Sequence, residues 1–311
     1  MARAGSPVRP SRPCPSSNGS TGAAPAPPPP RPTRSCTLPD PLSANVILPP
    51  AQSRPDAAVQ LLFLHHAGGS SYPYLQLGNQ LSPAIEPFCL ELAGRGSRFL
   101  EPLQADPEPT LAAIVAAVER LGLGQRKPLL LFGHSLGAEL AYQLAARLLA
   151  RSLPMPLGLI LSARVFVDPV TVSRQPPGVP DETLTDAAIL RLLQAYGGTP
   201  DEVLTDPELS RYVVGVMRND MALLAALCRL PKPLLPIAAE VAGGDADHRV
   251  PAQQLADWGR AFAGPVGLSQ FAGDHFYLFS NVQIIPWIEQ QASQLAFAVP
   301  GRASLPQAAI L

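Results

Sequence analysis

The stretch LLFGHSLGAELAYQLAARL, residues 130–148, joins an apolar run to a helical pattern across a turn in which a serine lies between two glycines. Gly133, Ser135 and Gly137 have the G-x-S-x-G spacing of a nucleophile elbow. In such an elbow a strand turns sharply into a helix, the glycines relieve crowding, and the serine hydroxyl stands above the sheet. A glycine-rich turn without chemistry is the alternative. Because the motif follows a strand pattern and opens a helical one, we interpret Ser135 as a nucleophile.

Short apolar runs alternate with helical patterns on either side of the elbow, which is typical of a parallel sheet covered by helices. Strands are predicted at residues 58–64, 85–92, 128–132, 157–163, 235–243 and 266–272. Helices are predicted at residues 73–81, 110–121, 136–151, 252–262 and 276–294. We expect Thr110 to cap the second of these helices and Gly122 to end it. The alternation predicts one α/β domain over residues 57–295.

Residues 164–234 interrupt this alternation, because they contain helical patterns at 183–196 and 207–228 and no strand pattern. The second pattern carries an apolar stripe at helical spacing, made of Leu209, Tyr212, Val213, Val216, Met217, Leu223, Leu224 and Leu227. Ordinary helices packed on the sheet would also explain this stripe. We expect instead a helical lid over the carboxyl edge of the sheet, where open α/β sheets bind ligands.

Composition and charge exclude several classes of function. The chain has 23 basic and 24 acidic residues and a formal net charge of −1, so it offers no basic surface for nucleic acid or anionic membranes. No segment approaches the roughly 18 consecutive apolar residues of a membrane span, and the first residues lack the apolar core of a secretory signal. Four scattered cysteines form neither a disulfide framework nor a zinc pattern. We therefore expect a cytoplasmic monomer whose partners must be inferred from a site.

The two ends of the chain are predicted to lie outside the domain. Residues 1–56 contain 15 of the 38 prolines, together with serine, arginine, glycine and alanine. This composition can form polyproline II but cannot bury apolar surface, so we expect a disordered N-terminal extension. A proline-rich ligand for a partner domain is the alternative. Residues 296–311 are expected to be a C-terminal tail.

A serine nucleophile needs further groups, because its hydroxyl is weakly nucleophilic at neutral pH unless a histidine, oriented by a carboxylate, takes its proton. In α/β hydrolases the chain order is serine, acid, histidine, which leaves His248 and His275 among the five histidines. His248 directly follows Asp247, the favoured acid, and is too close in sequence to swing round as its partner. We therefore predict that His275, in the segment FAGDHFYLF after the last strand, is the base.

The segment VAGGDADHRVP supplies the acid directly after an apolar strand. Its spacing resembles the G-x-x-D-x-x-V-P segment of many α/β hydrolases and favours Asp247 over Asp245. Asp274 is adjacent to the histidine in sequence, and adjacent side chains point apart, so helix capping or solvent exposure is its expected fate. Asp168, at the start of the predicted lid, is the remaining alternative.

The loop HHAGGSS, residues 65–71, follows the first strand and supplies the predicted oxyanion hole. The backbone N–H groups of Ala67 and Leu136 can converge on the substrate carbonyl, while Gly68 and Gly69 let the chain come close to it. A plain glycine turn is the alternative. With the elbow, the base and the acid, four separated segments predict a serine hydrolase.

These segments together resemble the type II thioesterases, the free-standing editing enzymes of nonribosomal peptide and polyketide synthesis. The resemblance covers about residues 57–295 and implies the α/β-hydrolase fold. It rests on HAGG (66–69), GRGSRFLEP (94–102), GHSLG (133–137), MRNDMALL (217–224) and GDHFYLF (273–279). His65 departs from the many members that have proline there, and Leu136 replaces a common methionine. We expect Arg95 and Arg98 to be solvated loop residues.

The resemblance implies hydrolysis of an acyl or aminoacyl thioester on the phosphopantetheine arm of an acyl- or peptidyl-carrier protein. Ser135, Asp247 and His275 would form the catalytic triad, and no metal or bound cofactor is needed because the phosphopantetheine belongs to the substrate. A carboxylester hydrolase or a medium-chain fatty acyl thioesterase is the alternative, since the triad does not distinguish an ester from a thioester. A non-catalytic binding protein of the same fold is the alternative from another class.

Overall fold

A seven-stranded sheet forms the centre of the computed structural model, which describes residues 46–170, 172, 185–196 and 199–297. The strands are β1 (Ile47–Leu48), β2 (Val59–Leu64), β3 (Ile85–Leu90), β4 (Leu129–His134), β5 (Gly158–Ser162), β6 (Ala238–Gly244) and β7 (Val266–Phe271). Their order in the sheet is β1-β3-β2-β4-β5-β6-β7. All neighbouring strands are parallel except β1, which pairs antiparallel with β3. The predicted α/β architecture is confirmed.

The helices follow the predicted positions with local differences. They are α1 (Tyr72–Gln80), α2 (Pro107–Leu121), α3 (Leu136–Ala150), α4 (Asp186–Tyr196), α5 (Asp201–Thr205), α6 (Pro207–Cys228), α7 (Ala252–Leu255), α8 (Tyr277–Ser280) and α9 (Ile284–Phe297). The predicted helix at 252–262 is α7 followed by a 3₁₀ helix, and the predicted closing helix is divided into α8 and α9. Thr110 is not the cap of α2, because Asp106 accepts from the Glu108 N–H and Pro107 opens the helix.

Each face of the sheet carries its own apolar core. Leu62 and Leu64 of β2 pack in the core beneath α2, α3 and α6, whereas Leu61 and Phe63 pack in the core beneath α1 and α9. The residues of β4 divide between the two cores in the same way. Because both faces are buried, these strands are continuous apolar runs in the sequence, which explains why they could be predicted from it.

The folded part begins earlier than predicted. Val46 and Ile47 are 1% exposed, and Ile47 pairs with Leu90 at the edge of the sheet. The predicted boundary at residue 57 is therefore wrong for residues 46–56, because two apolar residues inside the proline-rich segment complete the sheet edge. Residues 1–45 and 298–311 lie outside the described residues, so a disordered extension and a tail there stay predictions.

The segment between β5 and β6 contains α4 and α6, where helical patterns were predicted, and the short helix α5, which was not predicted. Met217 and the apolar residues after it in the predicted stripe are buried, but Leu209 is 48% exposed and Tyr212 is 37% exposed, so the stripe begins later than expected. Residues 171, 173–184 and 197–198 of this segment lie outside the described residues. No helix in the described part of the chain is long and apolar enough to cross a membrane.

Candidate active site

Ser135 lies on a sharp turn between β4 and α3. Its backbone has φ 55° and ψ −112°, a conformation that non-glycine residues rarely adopt, and its N–H donates to the Ser162 carbonyl oxygen of β5 at 2.8 Å. A Cβ at Gly133 would overlap the Gly137 carbonyl, and a Cβ at Gly137 would overlap the Leu64 carbonyl. Both glycines are therefore required by close backbone approach, as a nucleophile elbow demands.

His275 and Asp247 are joined by a short hydrogen bond. The Nδ1 atom of His275 lies 2.6 Å from Oδ2 of Asp247, and both side chains are buried. Asp247 follows β6 and His275 follows β7. Because these two strands are adjacent and parallel, both residues lie at the carboxyl edge of the sheet. The imidazole of His275 also lies 5.3 Å, centroid to centroid, from that of His134, the residue before Ser135. The pair therefore lies beside the elbow.

The environment of Asp247 favours its charged form. Burial by itself raises the pKa of this carboxyl group, but the hydrogen bond and charge of His275, together with the N–H groups of Arg249 and Val250, lower it more. The resulting pKa lies below the ordinary value, so the carboxylate is ionised at neutral pH. Its negative charge favours the tautomer of His275 in which Nδ1 carries hydrogen and Nε2 is the proton acceptor.

The other candidate acids have different contacts. Asp245 accepts from the Gly273 N–H at 2.9 Å and Asp274 accepts from the Phe276 N–H at 2.8 Å, both in exposed positions. Asp168 forms an ion pair with Arg260. Of the four carboxylates considered, the structure therefore brings only Asp247 into a hydrogen bond with the predicted base.

The loop after β2 contains a tight turn, residues 66–69, which we call the oxyanion turn after the role predicted for it. The Gly69 N–H donates to the His66 carbonyl oxygen at 3.2 Å, and Gly68 has φ 74°, the geometry of a type II turn. Leu64 is paired with Gly133 across β2 and β4. The loop that carries Ala67 and the turn that carries Leu136 therefore leave the sheet side by side.

Two charged residues support this turn, and sequence reasoning missed both. Arg95 and Asp220 form a bidentate ion pair, with Nη1 to Oδ2 at 2.5 Å and Nη2 to Oδ1 at 2.7 Å. Arg95 is 3% exposed and Asp220 is fully buried, so the expectation that Arg95 is a solvated loop residue is wrong. Arg98 is also engaged, with Glu101 and the Glu91 carbonyl. The sequence contains one signal for Asp220. It occupies a position on the apolar stripe of α6, where a carboxylate needs a partner if the stripe is buried.

Three histidines that precede the nucleophile support the loops around it. His65 bonds to the His66 carbonyl through Nδ1 at 2.8 Å and accepts from the Leu92 N–H through Nε2, which requires a neutral ring. Burial lowers its pKa to about 4. His66 bonds to the Tyr74 hydroxyl and His134 to the Ser162 hydroxyl, and burial places the pKa of each well below 6.5. Within the described residues, no group of three histidine, cysteine or carboxylate side chains could hold a metal ion.

A cavity of about 760 Å³ opens between the oxyanion turn and the lid helices. Its wall includes the oxyanion turn, Leu193 of α4, Met217 of α6, and the aromatic side chains of Phe276 and Phe279 after the predicted base. A cavity of this size and mixed apolar character suits a small organic group rather than a macromolecule.

Comparison with known proteins agrees with this geometry. A family model described as a thioesterase domain matches residues 59–291. The chain is 34% identical over 227 residues to thioesterase PikA5 of Streptomyces venezuelae, covering 72% of this chain and 77% of that protein. It is 29% identical over 226 residues to the medium-chain S-acyl fatty acid synthase thioesterase of Homo sapiens, covering 72% of this chain and 82% of that protein.

Solved structures of type II thioesterases have the same fold. BorB, from the borrelidin biosynthetic cluster, matches with a TM-score of 0.66 at 29% identity, covering 79% of this chain and 97% of that one. YbtT, from the yersiniabactin pathway, matches with a TM-score of 0.69, covering 81% and 100%, and at 23% identity it supports the fold alone. The resemblance inferred from the motifs is confirmed. The chain therefore belongs to the thioesterase family, serine hydrolases of the α/β-hydrolase fold that cleave thioesters.

Proposed function

We propose that the protein hydrolyses acyl or aminoacyl thioesters on the phosphopantetheine arm of acyl- or peptidyl-carrier proteins, and so removes aberrant groups during nonribosomal peptide or polyketide synthesis. The substrate class is supported by BorB, which is 29% identical and is a type II thioesterase from the borrelidin biosynthetic cluster. The chemistry is supported by one observation above all. His275 and Asp247 share a 2.6 Å hydrogen bond beside an elbow that holds Ser135 in a strained backbone conformation.

In the proposed mechanism, Ser135 attacks the thioester carbonyl while Nε2 of His275 takes the hydroxyl proton. Asp247 stays ionised and stabilises the imidazolium that forms. The N–H groups of Ala67 and Leu136 donate to the oxyanion of the tetrahedral intermediate. The carbon–sulfur bond then breaks, and the carrier thiol leaves with the proton from His275. Water activated by the same histidine attacks the acyl-enzyme and releases the acid, which restores Ser135.

The nucleophile is tested by the Ser135→Ala variant. We expect its kcat on an acyl-carrier thioester to fall to background while its binding of the carrier remains measurable, because the change removes one oxygen at the elbow. Substantial residual turnover would exclude Ser135 as the nucleophile. Circular dichroism of the variant checks that the fold is intact.

The substrate class is tested by comparing kcat/KM on carrier-bound thioesters with kcat/KM on free oxygen esters of the same acyl group. Higher kcat/KM on the oxygen esters would contradict the thioesterase proposal. A second candidate, hydrolysis of medium-chain fatty acyl thioesters, is favoured by the match to the human enzyme over 82% of its length. A series of carriers loaded with aminoacyl, short acyl and medium-chain acyl groups separates the two, since the medium-chain activity predicts a preference for the longest chains.

A further inference from the structure

We propose that Asp220 and Arg95 are positioning residues that hold the oxyanion turn, residues 66–69, in the conformation from which the Ala67 N–H binds the oxyanion. This inference rests on the proposed mechanism, in which Ala67 is one of the two oxyanion donors. It concerns two residues that would touch neither the substrate nor the triad. One of them belongs to the lid helix α6, and the other belongs to the loop after β3.

Both sides of the turn are held by this ion pair. Oδ2 of Asp220 accepts from the Gly68 N–H at 2.8 Å and from Nη1 of Arg95 at 2.5 Å. The same Nη1 atom also donates to the Gly69 carbonyl oxygen at 3.2 Å. The pair therefore binds one donor and one acceptor of the same turn, and it does so with charged groups, whose hydrogen bonds are the stronger kind.

The hydrogen bond to Gly68 decides the orientation of the central peptide of the turn. In a type II turn this peptide is flipped relative to a type I turn, and the third residue needs a positive φ. Gly68 has φ 74°, and its N–H is the donor that the flip turns towards Asp220. Without the Asp220 carboxylate, the Gly68 N–H would lose a charge-assisted hydrogen bond, and the flipped state would lose that advantage over other orientations of the peptide. The preceding peptide, which carries the Ala67 N–H, would then lose its fixed direction.

The burial of Arg95 and Asp220 indicates that their ion pair contributes little to the stability of the fold compared with an apolar pair. Arg95 is 3% exposed and Asp220 is fully buried, so both charges have lost their hydration. Replacing a buried ion pair by apolar residues is often neutral or stabilising, because desolvation offsets the attraction. What an apolar pair could not supply is an acceptor for Gly68 and a donor for Gly69. The contribution that is particular to these two side chains is therefore the geometry of the turn.

The pair also connects the lid to the oxyanion turn. Asp220 lies one turn of α6 after Met217, and a Cβ on Gly68 would come within 2.9 Å of the Met217 Cε atom. A displacement of α6 would carry Asp220 away from the Gly68 N–H. We therefore expect that the oxyanion turn has its catalytic geometry only while this part of the lid is packed as described.

The test uses Asp220→Ala, which removes the acceptor, and Arg95→Lys, which keeps the charge but cannot hold Asp220 and Gly69 with one planar fork. We expect kcat on an acyl-carrier thioester to fall about 10- to 100-fold in each, a loss typical of misplaced catalytic groups, with little change in KM. A trifluoromethyl ketone analogue, which forms a tetrahedral oxyanion with Ser135, should lose affinity by about the same factor as kcat/KM. A thioether analogue without a carbonyl should bind as before.

The matched control is Glu139→Gln. Glu139 is also fully buried, and the ion pairs it forms are with Arg164 and Lys232 rather than with Arg95. We expect this variant to lose stability while it keeps kcat below its unfolding temperature. If the Asp220 and Arg95 variants likewise lost stability but kept kcat and ketone affinity, the positioning role would be overturned. If Asp220→Ala does not fold, kcat and the affinity for the ketone analogue are measured on Arg95→Lys and on the milder variant Asp220→Asn.

A readout that is independent of activity separates this inference from the proposed function. With ¹⁵N-glycine labelling, the Gly68 amide should exchange slowly in the wild type and much faster in Asp220→Ala. Absence of thioester hydrolysis in the wild type would reject the proposed function, whatever the exchange rate. Unchanged Gly68 exchange in the Asp220→Ala variant of an active enzyme would reject the positioning role alone.

Discussion

At the scale of single residues, the hydrogen bond to His275 distinguishes Asp247 from the other three candidate acids. Asp245 and Asp247 lie in the same short loop, two positions apart, and both accept backbone hydrogen bonds. Asp247 is buried and bonded to Nδ1 of His275, whereas Asp245 is exposed and holds the Gly273 N–H. The two therefore have different expected roles, the first in orienting the base and the second in shaping the loop.

Paired substitutions should reveal this difference. We expect Asp247→Asn to lower kcat by about 10⁴-fold, because an amide favours the wrong tautomer of the histidine, as it does in serine proteases with the same triad. Asp245→Asn keeps an oxygen that can accept from Gly273, so its kcat should fall far less. Steady-state kinetics on one carrier thioester measures both. A larger loss at Asp245 than at Asp247 would reject the assignment.

At the scale of elements, α6, in the segment predicted to be a lid, contains one weak point. The helix is capped by Asp206, whose side chain accepts from the N–H groups of Glu208 and Leu209. Gly215 lies in its interior, where a Cβ would meet no atom within 4 Å. Glycine in a helix interior costs about 1 kcal/mol relative to alanine, and nothing in the surrounding packing requires it here.

We expect the Gly215→Ala variant to raise the free energy of unfolding by about 1 kcal/mol. Asp206→Ala should lower it by about 1 kcal/mol, because it leaves two N–H groups of the first turn without their acceptor. Urea unfolding followed by circular dichroism measures both changes on the same helix. A destabilised Gly215→Ala variant would show that the lid helix needs its glycine for another reason.

At the scale of the whole molecule, the fold buries neutral imidazoles next to the candidate active site. His65 is 1% exposed and has a pKa of about 4, and the pKa values of His66 and His134 are also lowered by burial. In the unfolded chain these groups bind protons near pH 6.5. Between about pH 4 and pH 6.5 the unfolded state therefore binds more protons than the folded state, so a fall in pH favours unfolding.

The contribution of these histidines to the free energy of unfolding should therefore be complete above about pH 6.5. It should be lost progressively as the pH falls towards about 4. Protonation of His65 alone should lower the free energy of unfolding by about 3 kcal/mol over this range, since its pKa is about 4 in the folded state and 6.5 in the unfolded chain. Asp247, whose folded pKa is lowered, adds a loss in the same direction at more acidic pH. Urea unfolding at several pH values tests this, with His65→Gln expected to have a shallower slope. A wild-type unfolding free energy that did not change across this range would contradict the prediction.

Local patterns were enough to predict the strands and the elbow, and they indicated His275 as the candidate base. Buried parallel strands are apolar along their whole length, and a nucleophile elbow needs glycines at fixed offsets, so both leave marks within a few neighbouring residues. The N-cap of α2 was misplaced, because Asp106 and Thr110 lie within one helical turn and both residue types cap helices. The β1 edge strand was missed because two residues carry too short a pattern to be distinguished within a proline-rich segment.

The sequence by itself therefore determined the α/β fold, the serine at the elbow and the family likeness, since each depends on the spacing of residues close together in the chain. Only the tertiary structure shows that Asp247, which the spacing favoured, bonds to His275, and that Arg95 meets Asp220 across a separation of 125 residues. The physical reason is that a charged side chain is buried or solvated according to what packs against it. The partner of Arg95 is supplied by another element, so the local spacing around Arg95 or Asp220 does not specify their contact.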